Sequence, residues 1–336
     1  HSHPLYSAIQ MMRYISQCRV IVFVLFTCLQ CTQQTDLKAT KRTTHVPPTD
    51  VTPMDLIRSQ MSLGHMIVDQ NHKIAFCPVE KVASTHIRQL FYRMSGDKLW
   101  FMPPYHKPGN LVTFTSMNDT KRTHEIMHDP TWIKAIFFRD PAKRLLSSYL
   151  HLIKNPKASP RYKTYIKKFN RSTSWDDFWR LATEKNGLDN PHWKAQVSYC
   201  NFQKFYSLYN FVGNYEMIKD HFALLERMAG LQNFTASGWE MTKRIRQPWS
   251  AGHDMQWHID LWRRRGISLE PNPEISGDCM WCSNEAHHKN NYSSNPVDSY
   301  LTSSVLHGIR NSHRYQKDYD FFKKITTIPF NRSMYL

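Results

Sequence analysis

The chain has 336 residues, 41% of them hydrophobic and 13% aromatic, values at which a real core can form. Forty-four Lys and Arg against 27 Asp and Glu give a formal charge of +17, which points to an acidic partner: nucleotide phosphates, nucleic acid, an anionic membrane or a polyanionic sugar. The basic residues are spread along the chain without an aromatic-interleaved RNA-binding pattern, which argues against nucleic acid.

At the N-terminus, Arg13 and Arg19 precede the apolar run Val20-Ile-Val-Phe-Val-Leu-Phe-Thr-Cys-Leu29, and the chain then turns polar and Thr-rich from Thr32 to Thr52. A basic flank, an apolar stretch and a polar exit read as a secretory targeting segment over residues 1–31. The run is shorter than the ~20 residues of a spanning helix. A signal anchor and a cleaved signal peptide both fit; the plain alternative is a buried helix of a cytosolic fold, against which the flanks argue. Met11 or Met12 as the first residue would make the segment tidier. Five Asn-x-Ser/Thr sequons, at Asn118, Asn170, Asn233, Asn291 and Asn331, agree with a lumenal body. Beyond the leader lie Cys77, Cys200, Cys279 and Cys282, an even set that could form two disulfides by any of three connectivities.

Residues 32–71 are rich in Thr, Gln and Pro with no sustained apolar period, the composition of a disordered stem. The folded domain is expected over 72–330. Lys73 to Val79 reads as a buried strand, and Ile87, Leu90, Phe91 and Met94 are spaced as in a helix over 85–94. Trp132 to Phe138 is a second strand. It runs through Arg139-Asp-Pro into a helix from Ala142 to about Ile153, with Asp140 as N-cap and Pro141 at the first helical position. A helix from Trp175 to Thr183 is capped by Ser174; Tyr209 to Gly213 is a strand, and Tyr215 to Ala229 a helix. Residues 231–275, rich in Trp, Arg and Pro, lack a period and read as a substrate-facing insertion. Val297 to Phe322 is helical, with Leu301, Val305, Leu306 and Ile309 on one face. Alternation of strands and helices predicts an α/β fold: a central parallel sheet flanked by helices, of the P-loop-like nucleotide-binding kind.

Two strand–loop–helix units carry the chemistry. In the first, Lys81, Val82, Ala83, Ser84 and Thr85 follow a strand and open a helix. Small residues let a phosphate approach the backbone amides at the helix start, where the dipole favours an anion. Lys81 adds a mobile positive charge, and Ser84 and Thr85 add hydroxyls. The G-x-x-x-x-G-K-[ST] pattern is absent, which disfavours an ordinary NTPase. In the second unit Arg139 stands at a strand's carboxyl end, where ligands of open α/β sheets gather. Arg144 and Ser147, three apart on the following helix, share a face and suit a phosphate monoester. The plain alternatives are a solvated lysine, a structural ion pair of Arg139 with Asp140, and exposed helical polar residues.

The segment Glu80-Lys-Val-Ala-Ser-Thr-His86 resembles the 5'-phosphosulfate loop of the Golgi carbohydrate sulfotransferases, usually Pro-Lys-Val-Ala-[Ser/Cys]-Thr-Asn. Arg139 to Ser147 is similar to their 3'-phosphate motif, Arg-Asp-Pro-x-x-Arg-[Leu/Phe]-x-Ser. The motifs keep the order and approximate spacing of the chondroitin and dermatan 4-O-sulfotransferases and their relatives. Later echoes are His192-Trp193 with Gln196 and Cys200, Tyr209 to Glu216, and Tyr315 to Phe322, so the resemblance covers residues 72 to 325. Glu80 stands where that family has Pro and His86 where it has Asn, and Cys200 lacks the second nearby Cys of many relatives.

The resemblance implies a Golgi membrane enzyme of single-pass type II topology, secreted if the leader is cleaved. Its co-substrate would be 3'-phosphoadenylyl sulfate (PAPS), with no metal. Its acceptor would be an acidic glycan or proteoglycan, such as a chondroitin- or dermatan-like chain. Lys81 would neutralise the leaving phosphate, and a histidine or glutamate would take the acceptor's proton. Candidates are His86, His106, His124, His128, His192 and Glu216. His192 is preferred because Trp193 beside it could stack on a sugar ring; the alternative is a structural imidazole beside a core Trp. Cys279-Met-Trp-Cys282 with His287 and His288 fits zinc only loosely, and a lumenal setting favours disulfides. Trp239, Trp249, Trp257, Trp262 and Arg263 to Arg265 read either as a glycan groove or as core Trp and solvated Arg. Competing functions are transfer to a heparan-type chain or a protein tyrosine, and non-catalytic glycan binding by a secreted protein.

Overall fold

Four strands make one sheet in the order β1 (Ile67–Asp69), β2 (Ile74–Cys77), β3 (Ile133–Phe138) and β4 (Phe211–Asn214). In this computed structural model the described residues are 63–102, 111–154, 172–184, 190–239, 260, 264, 279–281 and 297–327. β2, β3 and β4 run parallel, and β1 folds back antiparallel on β2. β2 and β3 are buried at every position, so their sequences run apolar almost without a break instead of alternating. Lys134 is the exception within β3: its Nζ donates to the Asp129 carbonyl at 2.8 Å.

The mixed, mostly parallel sheet with flanking helices is the expected α/β arrangement. The antiparallel first strand was not expected. It arises from a tight turn in which Lys73 takes a left-handed φ of 47° and Asp69 Oδ1 accepts from the His72 backbone N–H at 2.8 Å. Leu63, Met66, Ile67 and Val68 are buried in the core, so packing begins before residue 72, inside the range read as stem. Three strand residues are too few to show a period, and the polar composition upstream hid them.

Helices follow each parallel strand. α1 (Ser84–Met94) leaves β2, and α2 (Thr120–His128) leads into β3 behind an Asp119 cap. α3 (Pro141–Tyr149) follows β3 with Asp140 accepting from the Lys143 backbone N–H and Pro141 in its first turn, as expected. It continues into a π-helical turn over Leu150–Lys154. α4 (Trp175–Thr183) starts at Ser174, whose Oγ accepts from the Asp177 backbone N–H at 3.0 Å. α5 (Ile218–Ala229) follows β4 through a 3₁₀ turn and stops at Gly230, φ 66°. The C-terminal helical stretch is broken: Val297–Tyr300 forms one turn, then come α6 (Ser303–Arg310) and α7 (Gln316–Thr327).

One apolar cluster surrounds the sheet, with Phe76, Phe137, Phe211 and Phe222 among its members. A second lies between α3, α4 and α6 and includes Leu145, Phe178, Trp193, Ile309 and Tyr315. At Gly213 of β4 a Cβ would stand 2.3 Å from the Phe137 ring, so only glycine fits. Cys77 at the end of β2 is bonded to Cys200, which selects the partner left open by the sequence. Cys279 is also disulfide-bonded, which removes it from the loose zinc-like cluster; Cys282, His287 and His288 lie outside the described residues. Among the described residues no group of three or more His, Cys, Asp or Glu could hold a metal ion. Trp239 is core: it is 2% exposed and its Nε1 donates to the Phe234 carbonyl. Trp249, Trp257, Trp262, the leader, His106 and the sequons Asn170, Asn291 and Asn331 lie outside the described residues, whereas Asn118 and Asn233 are exposed. Among the described residues no helix is long and apolar enough to cross a membrane.

Candidate functional site

Because β2 and β3 are adjacent and parallel, the loops that leave their carboxyl ends emerge side by side. The loop after β2 is strained: Lys81 and Ala83 both hold left-handed backbones, φ 68° and 55°. Such conformations cost on the order of 1–2 kcal/mol for a non-glycine residue and persist only where the surroundings impose them. Here the second unit imposes them. Arg139 donates from a terminal guanidinium nitrogen to the Lys81 carbonyl at 3.1 Å, and Arg144 Nε donates to the Glu80 carbonyl at 2.8 Å. Ala83 occupies the N-cap of α1 and brings no capping side chain, so the helix opens with its positive end uncapped. Val82 is buried beneath the loop, Ser84 is buried, and Thr85 is half-buried beside it.

Lys81 Nζ lies 2.6 Å from Nδ1 of His151, on the π-helical turn after α3. Desolvation, reinforced by Arg139 and Arg144 and opposed by Glu80, draws the lysine down to about 7. Glu80 turns away: its Oε2 accepts from Ser84 Oγ and its Oε1 from Arg88, both at 2.8 Å. Burial would push this carboxyl up, but Arg88, His192 and the Ser84 hydroxyl together hold it at about 2.

His192 enters from the segment before the 3₁₀ turn Gln196–Asn201. Its backbone N–H donates to Asn190 Oδ1 at 2.9 Å, and its Nδ1 lies 3.0 Å from the same oxygen. A carboxamide oxygen only accepts, so the ring proton sits on Nδ1 and the basic lone pair on Nε2. Burial and then the Lys81 charge lower its pKa to about 4, so the imidazole is neutral at neutral pH. Its carbonyl accepts from Ser148 Oγ at 2.6 Å.

The two arginines differ. Arg139 is fixed through its backbone, which exchanges hydrogen bonds with the Gln196 carboxamide at 3.0 and 2.8 Å. Its guanidinium lies over the Tyr215 ring at 4.9 Å, and its buried Nε has no hydrogen-bond partner among the described residues. Glu216 is 4.0 Å from that nitrogen and is bonded instead by Lys143 Nζ at 3.1 Å. A buried N–H without a hydrogen bond costs about 1–3 kcal/mol, and the Glu216 carboxylate at 4.0 Å offsets its charge without making that bond. Arg144, 1% exposed, has its donors engaged by the carbonyls of Glu80, Lys194 and Pro191. It braces the loop against the 190–194 segment, and Tyr199 OH donates to the same Pro191 carbonyl. Ser147 is half-buried on α3, one residue before the Ser148 that reaches His192.

Lys81, Ser84, Arg139, Arg144 and His192 are thus gathered around one loop, with Val82, Ala83 and Thr85 forming it. His86 instead packs against Trp239 and Trp281, and the His124 and His128 rings meet at a tilt along α2, centroids 4.2 Å apart. Sequence reasoning missed His151, Asn190, the Gln196 brace and Asp318, whose buried carboxylate accepts from the Gln196 and Val197 backbone N–H groups at 2.7 and 2.9 Å. Only Asn190 carried a local signal, as an Asx residue two before the histidine.

The strained, uncapped loop after β2 is thus braced by two arginines from the segment that follows β3, an arrangement whose positive potential suits an anion. Residues 64–253 match the model of the sulfotransferase family, and the chain belongs to that family. It is 25% identical over 228 residues to carbohydrate sulfotransferase 11 of Rattus norvegicus, a match covering 58% of this chain and 63% of the relative. It is 27% identical over 199 residues to carbohydrate sulfotransferase 10 of Danio rerio, covering 50% and 53%. Carbohydrate sulfotransferase 14 of Danio rerio is 24% identical over 203 residues, covering 55% and 54%. The matched part thus spans between half and two-thirds of these relatives' length. No solved structure matches the chain significantly.

Proposed function

We propose that the protein transfers a sulfuryl group from PAPS to a hydroxyl of a carbohydrate, within the Golgi lumen. The observation that carries this reading is the Arg139 guanidinium, held against the loop that opens α1 and with an Nε that no hydrogen bond engages, beside the uncapped start of that helix. A bis-phosphorylated nucleotide would satisfy both at once, its 5' end at the Lys81–Thr85 loop and its 3'-phosphate at Arg139 and Ser147. The donor, when bound, supplies an activated sulfate whose leaving group is a phosphate.

The chain's own residues then divide the work. The amides opening α1, with the Ser84 and Thr85 hydroxyls, hold the phosphosulfate end. Lys81 places its ammonium where negative charge develops on departure of the phosphate. His192 takes the acceptor hydroxyl's proton on Nε2, because Nδ1–H is committed to Asn190. Arg144 holds the loop in its strained form and contributes positive potential. The net charge of +17 favours an acceptor already bearing carboxylates or sulfates, such as a chondroitin- or dermatan-like chain. The leader and sequons support a membrane-tethered lumenal protein with attached N-glycans.

The test is incubation of protein made in secretory cells with labelled PAPS and a panel of desulfated glycans. Label is expected on chondroitin, with acceptor affinity falling as salt rises through screening over ~8–10 Å. Preference for a neutral N-acetylgalactosamine-terminated glycan, indifferent to salt, would contradict the polyanion. No transfer to any glycan would contradict the activity. An N-glycan-removing enzyme is expected to shift the protein's mobility; an unshifted, cytosolic protein would contradict the compartment.

A further inference from the structure

The Lys81 ammonium faces a conflict that the loop sequence does not resolve. It is desolvated and faced by Arg139 and Arg144, so it needs a hydrogen-bond acceptor to remain charged. A carboxylate would provide one but would cancel the charge that the leaving phosphate needs. Glu80, next in the chain, is committed to Ser84 and Arg88. The acceptor in contact with Lys81 is instead neutral: Nδ1 of His151, 2.6 Å from Nζ. A charged ammonium can only donate, so this contact places the His151 proton on Nε2. His192 is the opposite tautomer, with its proton on Nδ1. The two rings lie 6.5 Å apart, one accepting at Nδ1 and the other basic at Nε2.

His151 owes its place to the π-helical turn that ends α3. The Leu150 backbone N–H is shared between the carbonyls of Leu146 and Ser147, and the widened turn follows directly. π turns of this sort re-aim side chains and recur at functional sites. The same helix therefore delivers Arg144 to the loop's backbone and His151 to the loop's lysine.

We propose that His151 is a positioning residue for sulfuryl transfer: a neutral acceptor that fixes the Lys81 ammonium while leaving its charge intact, and not the base. This rests on the sulfotransferase reading above. It distinguishes two histidines by tautomer, and it gives a task to a residue outside both phosphate motifs.

The test compares His151→Leu, which fills the space without an acceptor, with His151→Asn, whose Oδ1 stands about where Nδ1 stood. Each is measured with labelled PAPS and acceptor for kcat and KM, and with 3'-phosphoadenosine 5'-phosphate by calorimetry. His151→Leu is expected to lower kcat by about 10²-fold, the usual effect of misplacing a reacting-centre group by about 1 Å. Donor KM and nucleotide affinity should change by less than about threefold, and His151→Asn should recover most of kcat. Wild-type kcat in the leucine variant would overturn the proposal. So would an asparagine variant as slow as the leucine one, because that would require the imidazole's proton chemistry.

A second reading needs no turnover. With Lys81 isotopically methylated, its titration followed by NMR is expected to move to lower pH in His151→Leu and to stay in place in His151→Asn. Identical titrations in all three proteins would overturn the proposal even if the variants fold poorly in activity buffer. Wild type that transfers nothing to any acceptor would contradict the functional reading instead, and the lysine titration would still decide the positioning role.

Discussion

The two loops that leave β2 and β3 stand side by side yet are held by opposite means. The first has two left-handed non-glycine residues and an uncapped helix start. The second is conventional: Asp140 caps α3, Pro141 sits in its first turn, and the Arg139 backbone is clasped by Gln196. The unstrained loop and the helix it opens supply the guanidinium groups that bind the strained loop's carbonyls. One unit is therefore scaffold to the other, and the division explains why two arginines of one motif have such different surroundings.

The largest expected effect comes from breaking that support. Arg144→Leu takes the guanidinium donor from the carbonyls of Glu80 and Lys194, while the Pro191 carbonyl keeps the Tyr199 hydroxyl. At about 1–3 kcal/mol for each of these two buried groups, the domain should lose about 2–6 kcal/mol, read by urea denaturation. A loss under ~1 kcal/mol would show that the loop holds itself. Next is Cys200→Ser, which releases the end of β2 from the Gln196–Asn201 turn. The bond closes a separation of 123 residues, and its loss should cost about 2–4 kcal/mol.

The smallest effects sharpen the contrast through opposite signs. Asp140→Ala removes a cap and should destabilise by about 1 kcal/mol. Ala83→Gly relieves a left-handed residue and should stabilise by up to about 1 kcal/mol, offset by glycine's added freedom in the unfolded chain. Equal signs in the two variants would contradict the division between strained and unstrained loops.

The pH profile separates the residues of the first loop from His192. Lys81 loses its charge as pH rises through about 7, so kcat/KM for the donor should fall on the alkaline side. His192 gains a proton as pH falls through about 4, so the acid limb should lie there. Lys81→Arg should remove the alkaline limb, since a guanidinium stays charged across the range. An unchanged alkaline limb in that variant would assign it to another group.

Much of this was legible in the sequence, and the remainder has physical reasons for being hidden. β2 and β3 announced themselves because strands buried on both faces run apolar, and Asp140-Pro141 and Ser174 are caps with local chemistry. β1 escaped because three residues carry no period and pair with a partner of opposite direction. The C-terminal apolar face, drawn as one stretch, ignored the break at 311–315, where Tyr315 turns inward and its hydroxyl donates to the Trp193 carbonyl. At the site, Arg144 and Ser147 both lie on α3, but it is Ser148 whose hydroxyl joins the Arg144 and His192 carbonyls. What spacing could not show is that carbonyls from residues 80, 191 and 194 would reach Arg144 first. The Lys81–His151 contact joins residues 70 apart, and nothing local marks either as the other's partner.

The most direct measurement is a calorimetric titration of 3'-phosphoadenosine 5'-phosphate into wild type, Arg139→Ala and Lys81→Ala. Charge-assisted hydrogen bonds contribute about 1.5–3 kcal/mol, so Arg139→Ala should weaken binding by roughly 10- to 100-fold. Lys81→Ala, whose charge acts mainly on the departing phosphate, should weaken it less while slowing transfer more. Equal nucleotide affinity in wild type and Arg139→Ala would contradict the assignment of the unpaired guanidinium nitrogen to the donor.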